Sequence, residues 1–499
     1  MKKIAVFLII LTMTGKNITS QKSFTDDFVY LCNNFENVHP NIFEHYSLVE
    51  YLNLKNNFYE RTRKCETKAD FYFLTKEFLA KFNDSHTNIV SEIENMTLLY
   101  PFSVIFLNKK FVIVASENEL LLGQYITKIN RIDIDSISLK IGKFISAEHS
   151  IARNMYLANF LNDPLYYVYS DIIDKNTQEI AITLSNDSTY TIYPKKPNEI
   201  EFDFDTALFS HPISAYIEKL FFYKIIPEKN IAYLQLNDML DRATYIDDFY
   251  ETYNYFQRLF RKKTLKEYKT YSLFTRVLNR MFLEMRNRNI ENLVVDLRYN
   301  GGGNSTIGDQ LLFFLLTNEQ MQACKSSSVV SRISQQMCKK YRSVHKNYKK
   351  GKYGNISLGN LASIKKHSFV NQDILNPRSV FYIPDTIEKF KGNVYFIQGN
   401  NTYSSGSDLL LKIYDNNLFT TIGEPTAQSP NSFGDRFIFT LPYSKIECSV
   451  SWKYFIRPDT SNSSNILHPN VYIPFDYEAL KKEKIDTALE WIFQDISNQ

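Results

Sequence analysis

The sequence predicts an α/β protein whose main sheet is mostly parallel and flanked by helices. An apolar strand, LVVDLR (293–298), runs into three consecutive glycines and then into a helical pattern from about Ser305 to Leu315. A second apolar strand, VYFI (394–397), runs into a serine-rich turn that opens another helical pattern. Strands that alternate with helices in this way are typical of a parallel sheet covered by helices. We therefore expect residues 199–499 to form an α/β core.

Two smaller regions precede this core. From Phe24 to about Phe82 apolar residues recur at steps of three and four, which predicts a small bundle of amphipathic helices over residues 21–95. The bundle ends at the polar turn 83–87. Residues 96–198 contain short β-type runs with one or two helices, which predicts a small β-rich module.

The first twenty residues have the pattern of a secretory signal. Lys2 and Lys3 precede the apolar run Ile4–Met13, and small or polar residues follow. This run is too short to span a bilayer, which needs about 20 apolar residues. We predict a cleaved signal peptide over residues 1–20, export to the periplasm or the exterior, and no stable membrane insertion. The alternative is a buried first helix.

Composition excludes some classes of function and leaves others open. A net charge of +4 over 499 residues does not favour a nucleic-acid partner, so the basic segment 339–352 is interpreted as a solvated surface loop. The five cysteines show neither a CxxC pair nor a metal-ligand spacing, and we predict no metal and no cofactor. Cys32–Cys65 and Cys324–Cys338 bridges or buried thiols both remain possible.

The glycine run Gly301–Gly303 is the first sign of chemistry. The whole chain has 15 glycines, and three of them stand together directly after a strand. Backbone N–H groups at such a strand end can receive a negatively charged atom. If the two apolar strands are neighbours, N–H groups of Gly301 or Gly302 and of Ser405 would form an oxyanion hole.

The serine-rich tract 401–408 supplies a candidate nucleophile, Ser404, at a strand-to-helix turn. A serine hydroxyl becomes nucleophilic when a base takes its proton, and its tetrahedral intermediate needs hydrogen-bond donors. Taken alone, a serine in such a turn is more typical of a helix N-cap. The glycine run upstream is what favours acyl transfer by Ser404.

His86, in the polar turn Asp84–Thr87, is the candidate general base. Spacing does not rank it above three other histidines that lie beside prolines or in turns, namely His39, His211 and His468. The acid that would orient the base is also undetermined, with Asp84, Glu447 and Asp459 as candidates.

Three motifs together resemble the tail-specific (C-terminal-processing) serine peptidase family, in its histidine-using, tricorn-like branch. They are the glycine segment 296–303, the Thr-Tyr-Ser-Ser-Gly tract 402–406 and the Asp-Ser-His-Thr turn 84–87. The resemblance implies that Ser404, two places after a threonine, is the nucleophile. It implies that His86 is the general base and that Ser85 helps to position it. It further implies a crotonase-like ββα-superhelix core, a PDZ-like module at 96–198, and cleavage of peptide bonds without a metal.

Three departures from the family pattern bear on activity. Family members with a Ser–Lys dyad carry a lysine about twenty-five residues after the serine, and the stretch 424–430 has none. Ser407 replaces the acid that often follows the nucleophile by three residues, and His468 stands where an orienting glutamate is found in the histidine-using branch.

We therefore weigh three functions. The first is an exported serine endopeptidase that hydrolyses protein or peptide substrates through an acyl-enzyme on Ser404. The second is a catalytically degenerate member of the same fold that binds peptides or proteins. An esterase using the same serine has less support, because the chain lacks a GxSxG elbow at this position.

Overall fold

The computed structural model describes residues 23–91, 98–207, 211, 213–214, 219–252, 261–354, 356–364 and 368–499. The predicted signal peptide, 1–20, lies outside these residues. The helices are α1 Phe24–Val38, α2 Leu48–Thr62, α3 Lys68–Ala80, α4 Ile134–Gly142, α5 Ser150–Ala158, α6 Pro164–Tyr169, α7 Arg242–Thr252, α8 Lys262–Tyr268, α9 Phe274–Asn287, α10 Thr306–Leu315, α11 Asn318–Ala323, α12 Gln335–Lys340, α13 Arg342–Lys349, α14 Ser405–Asp415, α15 Tyr477–Glu483 and α16 Thr487–Asn498.

The strands fall into four sheets. They are β1 Asn88–Ile89, β2 Phe102–Leu107, β3 Lys110–Ser116, β4 Ile126–Ile129, β5 Ile132–Asp133, β6 Ile180–Leu184, β7 Thr189–Ile192, β8 Asp203–Phe204, β9 Phe221–Ile226, β10 Ile231–Leu236, β11 Asn292–Asp296, β12 Ser328–Arg332, β13 Leu361–Ile364, β14 Asn393–Gln398, β15 Thr420–Gly423, β16 Ser432–Thr440, β17 Glu447–Ile456 and β18 Val471–Tyr472.

The N-terminal helices α1–α3 are present where the apolar periodicity predicts them. Each begins with a capping box, in which an N-cap serine or threonine and an acid three residues later satisfy the first backbone N–H groups. Their apolar faces meet around buried aromatic rings such as Phe28, Phe35 and Phe78. Because these rings bury large apolar areas, they hold the helices together and fix where the turn after α3 emerges.

The middle of the chain forms two small antiparallel sheets. One has the order β2-β3-β8 and the other β5-β4-β6-β7, with α4, α5 and α6 lying between the strands in sequence. The β-type runs of the sequence correspond to these strands. Ile180, Ile182 and Leu184 alternate with half-buried residues along β6, the period-two pattern that one-sided burial produces.

The largest sheet has the strand order β18-β15-β14-β11-β10-β9 and is parallel except for β9. This confirms the mostly parallel sheet predicted for the core. Strands β11 and β14 are direct neighbours, with Asp296 paired to Ile397. Parallel neighbours end at the same edge of a sheet, so the glycine run after β11 and the serine turn after β14 lie side by side.

The fourth sheet, which the sequence pattern did not indicate, joins the N-terminal turn to the core. Strand β17 pairs with β16, β12 and β1, and Asn88 of β1 lies opposite Ser449. The Ser449 hydroxyl also donates to the carbonyl of His86 at 2.8 Å. The turn that carries His86 is therefore docked on the core across 363 residues of sequence separation.

The interpretation of 339–352 as a surface loop is wrong, because the structure places α12 and α13 there. Met337 and Val344 are buried while most of the lysines point outward, so an amphipathic helical pattern was hidden by the number of charges. All five cysteines are free, and Cys32 and Cys448 are buried. Across the described ranges, no helix combines the length and apolar character needed to cross a membrane.

Candidate active site

Ser404 stands at a strained turn between β14 and α14. Its backbone has φ 52° and ψ −125°, a left-handed conformation that L-residues rarely adopt. Conformations of this kind cost about 1–3 kcal/mol and persist where the surrounding structure imposes them. Ser404 occupies the N-cap position of α14 but its side chain makes no capping hydrogen bond. The ordinary N-cap role therefore does not account for this serine.

The glycine loop packs directly on Ser404. Gly302 has φ +101°, and a Cβ at this position would lie 2.4 Å from the Cβ of Ser404. The two loops are joined by backbone hydrogen bonds, with the Tyr403 N–H donating to the Asn300 carbonyl at 2.9 Å. Only a residue without a side chain fits between these loops, which is the physical reason for glycine at this position.

The backbone N–H groups near Ser404 differ in their partners. The Gly301 N–H donates to the Asn237 carbonyl at 3.3 Å, and the Gly302 N–H donates to Asn300 Oδ1 at 2.9 Å. Gly303 and Ser405 line the cavity in front of Ser404. In the part of the chain described here, no hydrogen bond uses the N–H of Gly303 or of Ser405. These two groups are available to an anion without rearrangement.

His86 and Ser404 line the same cavity, whose volume is about 760 Å³. The turn is shaped by the His86 N–H, which donates to Asp84 Oδ1 at 2.9 Å. The ring stacks on Tyr403 with 5.2 Å between centroids, and Nδ1 lies 3.1 Å from the Tyr403 hydroxyl. Among the described residues there is no hydrogen bond between His86 and Ser404. The structure thus brings the predicted base and nucleophile to one cavity but does not join them.

The protonation of His86 follows from its surroundings. Burial lowers the pKa of its imidazole, and the positive charge of Arg436 adds to this, while Asp84 and Asp435 act in the opposite direction. The net effect is a pKa below the usual value. His86 is therefore neutral near pH 7, which is the form that accepts a proton.

Asp84 shapes the turn and does not contact the imidazole ring of His86 by a hydrogen bond. It is buried and accepts from His39 Nε2 at 3.2 Å and from Thr87 Oγ1 at 2.5 Å, besides the His86 N–H. Burial raises the pKa of Asp84, but these hydrogen bonds and the nearby histidines lower it below the usual value. Asp84 is therefore a charged anchor of the turn.

The other candidates from the sequence lie away from Ser404. His39 is held by Asp84, His211 contacts Ser214, and His468 is exposed. Neither Glu447 nor Asp459 lines the cavity, and Asp459 pairs with Lys325 at 3.3 Å. Of the four histidines considered, His86 is the one on the cavity wall.

Lys412, on the cavity wall eight residues after Ser404, is engaged by two acids. Its Nζ lies 2.7 Å from Asp309 and 3.3 Å from Asp408. Burial lowers the pKa of this lysine, but the two carboxylates outweigh burial and raise it. A lysine held in its charged form is not a general base.

Sequence reasoning missed two residues beside His86, Tyr403 and Glu148. The Ser85 hydroxyl donates to Glu148 Oε1 at 2.6 Å and also contacts the Tyr403 hydroxyl. Asp84, His86 and Glu148 bring possible metal-ligand atoms within 4.8 Å of one another, and Asp84 Oδ2, His86 Nδ1 and Glu148 Oε1 have the hydrogen-bonding partners described above. Glu148 precedes α5 in the middle module, and no local pattern marked it.

These features define a class. An α/β sheet presents a strained serine at a helix N-terminus, two backbone donors and a neutral histidine around one cavity, which is the construction of a serine hydrolase. Residues 230–447 match the family model of peptidase family S41. This match supports a tail-specific peptidase of family S41 and a serine-type peptidase that acts on peptides or proteins. The resemblance of the sequence motifs to the tail-specific family is thereby confirmed, and the histidine-using branch stays a prediction.

Some solved structures have a fold similar to that of this chain. Mature CPAF complexed with lactacystin has a TM-score of 0.58 and 12% sequence identity, covering 95% of this chain and 97% of that chain. A serine-to-alanine mutant of CPAF has a TM-score of 0.61 and 11% identity, covering 95% and 96%. At these identities the likeness concerns the fold. None of the curated proteins compared with this chain matches it.

Gly302→Ala is expected to reduce kcat by roughly 10²-fold, the cost of a displacement of about 1 Å at a reacting group. The added methyl would collide with Ser404 Cβ and would occupy an unfavourable positive φ. Peptide hydrolysis at saturating substrate measures the effect. The control is Gly351→Ala, which has φ +66° but open space around its Cβ, so it shares the backbone strain without the collision. Equal activity of the two variants would contradict the role given to Gly302.

Proposed function

We propose that this chain is an exported serine endopeptidase that hydrolyses peptide bonds through an acyl-enzyme on Ser404, with His86 as the general base. The observation that carries the proposal is the left-handed Ser404 on a cavity that it shares with His86 and the unpaired N–H groups of Ser405 and Gly303. Ser404 adopts a strained backbone conformation and makes no capping hydrogen bond, so its hydroxyl is available for reaction.

In this mechanism His86 Nε2 takes the proton of Ser404 as Oγ attacks the scissile carbonyl carbon. Because Nδ1 contacts Tyr403, we assign this task to Nε2, and the imidazole must then release its hydrogen bond to the Phe433 backbone. The proton then passes to the leaving amine, the C–N bond breaks, and an acyl ester remains on Ser404. Water attacks the ester with His86 again as base, which releases the acid and restores the serine hydroxyl.

The oxyanion is held by the Ser405 N–H and by the glycine loop. Gly301 and Gly302, the loop donors inferred from the sequence, must leave Asn237 and Asn300 to do so, whereas Gly303 needs no such change. Each donor of this kind contributes about 10²–10³ in rate. A hydrogen bond between His86 and Ser404 that forms only when substrate binds accords with the looser geometry of free enzymes.

The finer fold and location belong to the same proposal. We assign the core to a crotonase-like ββα superhelix, supported by the parallel sheet and its helices, and the module at 96–198 to a PDZ-like domain, supported by its small antiparallel sheets. Export rests on the apolar N-terminal segment after Lys2 and Lys3.

A second candidate is a degenerate member that binds peptides without cleaving them. It is favoured by one observation, the lack of a His86–Ser404 hydrogen bond in the described part of the chain. It predicts peptide binding that Ser404→Ala leaves unchanged, and no turnover of any peptide.

Covalent labelling tests the proposal. A fluorophosphonate probe is expected to label the full chain, and Ser404→Ala is expected to abolish labelling because the probe reacts with an activated serine hydroxyl. The control Ser429→Ala removes another cavity-lining serine, whose hydroxyl donates to the Asn465 carbonyl at 2.8 Å, and should keep labelling. Undiminished labelling of Ser404→Ala would overturn the assignment, and a folded but unlabelled wild type would favour the binding protein.

A further inference from the structure

A chain of hydrogen-bonding groups leads from His86 to a buried carboxylate. His86 Nδ1 contacts the Tyr403 hydroxyl at 3.1 Å, Tyr403 contacts the Ser85 hydroxyl, and Ser85 donates to Glu148 Oε1 at 2.6 Å. A carboxylate only accepts, and each hydroxyl has one proton to donate. The chain therefore has one direction that satisfies every member, in which His86 Nδ1–H donates to Tyr403, Tyr403 to Ser85, and Ser85 to Glu148.

We propose that Glu148 is the positioning residue for His86 and that it acts through the hydroxyls of Ser85 and Tyr403. It holds the proton of the imidazole on Nδ1, so that Nε2 faces the nucleophile without a proton, and it stabilises the imidazolium formed when Ser404 is deprotonated. This inference rests on the proposed function of His86 as the base. In other serine hydrolases a carboxylate that accepts a hydrogen bond directly from the imidazole positions the base and stabilises the imidazolium.

Three segments of the protein contribute to this series of hydrogen bonds, and each lies at the candidate site. Ser85 directly precedes the base, Tyr403 directly precedes the nucleophile, and Glu148 comes from the middle module. Tyr403 is 8% exposed and its ring stacks on that of His86. This packing fixes the position of the Tyr403 hydroxyl relative to the imidazole. Because Tyr403 directly precedes Ser404, a movement of the turn that carries Ser404 would also disturb the hydrogen bonds that lead from His86 to Glu148.

Besides the Ser85 hydroxyl, the carboxylate of Glu148 interacts with the backbone N–H groups of Ser85 and of Glu148 itself. Its Oε2 is buried and makes no hydrogen bond within the described residues, and no lysine or arginine forms an ion pair with it there. Tyr156 of α5 contacts the hydroxyls of Tyr403 and Ser85 from the other side. When Tyr156 donates to the hydroxyl oxygen of Tyr403 or of Ser85, the hydrogen bonds from His86 to Glu148 keep the same direction.

The charged groups around His86 and Glu148 determine how activity depends on pH. Burial raises the pKa of Glu148 to about 7, and the negative charge of Asp84 also raises it. His86 faces Asp84 on its own turn and Asp435 and Arg436 on β16. Loss of activity on the acid side therefore includes protonation of Glu148 as well as of His86.

The test compares Glu148→Gln, Tyr403→Phe and the double variant in the full-length protein. Each single variant is expected to reduce kcat by about 10²-fold with little change in KM, within the range of a positioned general base. If the residues act as one unit, the double variant loses no more than either single variant. In Glu148→Gln the acid limb of the kcat/KM profile should move to lower pH, since the ionisation near pH 7 is gone and the imidazolium loses a neighbouring negative charge.

Two controls remove similar groups elsewhere. Tyr167→Phe deletes a buried hydroxyl that donates to the Leu161 carbonyl at 2.6 Å, and Glu77→Gln neutralises an acid paired with Arg61 in the helical bundle. Both should keep wild-type kcat and an unmoved acid limb. Losses that multiply in the double variant, or an acid limb that stays in place in Glu148→Gln, would overturn the proposal.

A second measurement separates this inference from the proposed function. The ¹⁵N shifts of the His86 ring report which nitrogen carries the proton, and the wild type should show the Nδ1–H form whether or not it cleaves peptides. Tyr403→Phe should reduce the population of that form. An Nε2–H imidazole in the wild type would overturn the role of Glu148. Full activity of His86→Ala would instead overturn the proposed function.

Discussion

Replacing His86 by alanine is expected to reduce kcat by roughly 10⁴- to 10⁶-fold, the range found when the base of a serine hydrolase is removed. Without the imidazole, Lys412 does not take the proton of Ser404, because Asp309 and Asp408 hold this lysine in its charged form. Peptide affinity should stay near the wild-type value, since His86 acts on the reacting atoms.

Single-turnover hydrolysis of a peptide measures this loss, and binding of the same peptide to each variant measures affinity. Adding Ser404→Ala to His86→Ala should cause almost no further loss, because the two residues act as one unit. His45→Ala, at an exposed histidine remote from the cavity, is the control and should keep wild-type kcat. Activity of His86→Ala within tenfold of the wild type would contradict the mechanism, on the scale of ~10²–10⁴ for general-base catalysis.

The second large effect concerns stability. Asp486→Ala is expected to lower the free energy of unfolding by about 1.5–3 kcal/mol, the contribution of hydrogen bonds to a charged group, because Arg298 keeps Asp296 as its partner. Arg298 lies between Asp296 and Asp486, with both carboxylates 2.6 Å from its Nη2, and all three side chains are buried. This pair ties the end of β11, just before the glycine run, to the start of α16.

The effect should depend on pH in a defined direction. Burial raises the pKa of Asp486, but the charge and hydrogen bonds of Arg298 outweigh burial and lower it. A lowered pKa means that the stabilisation is present above the ordinary aspartate pKa and is lost as pH falls through the lower folded value. The difference between wild type and Asp486→Ala should therefore be largest near neutral pH and should shrink in acid.

Urea unfolding at neutral and acid pH measures this difference. The control is Asp476→Ala, because Asp476 is also a helix N-cap, accepting from Ala479 N–H at 2.9 Å, but makes no ion pair within the residues described. Its loss should be about 1 kcal/mol. If Asp486→Ala is no less stable than Asp476→Ala, the pair with Arg298 does not stabilise the core.

Several parts of the site were predictable because their signals are local. Three consecutive glycines indicate a constraint on the backbone, and at Gly302 that constraint is the close approach of Ser404, with which any side chain would collide. The helices α1–α3 follow from apolar periodicity and capping boxes that span four residues. In α12 and α13 the many charged residues hid the amphipathic helical pattern, and the prediction of a surface loop there was wrong.

The amino-acid sequence by itself determined the local features of the site: the two strands that lead into it, the glycine run after the first, and the serine that begins a helix after the second. Tertiary structure alone decided that β11 lies beside β14 and that β1 pairs with β17, which bring Ser404 and His86 to one cavity. It also placed Glu148 behind His86 through Ser85 and Tyr403. Backbone preferences act over a few residues and can be read locally, whereas strand order and buried hydrogen bonds arise from packing between segments far apart in the chain.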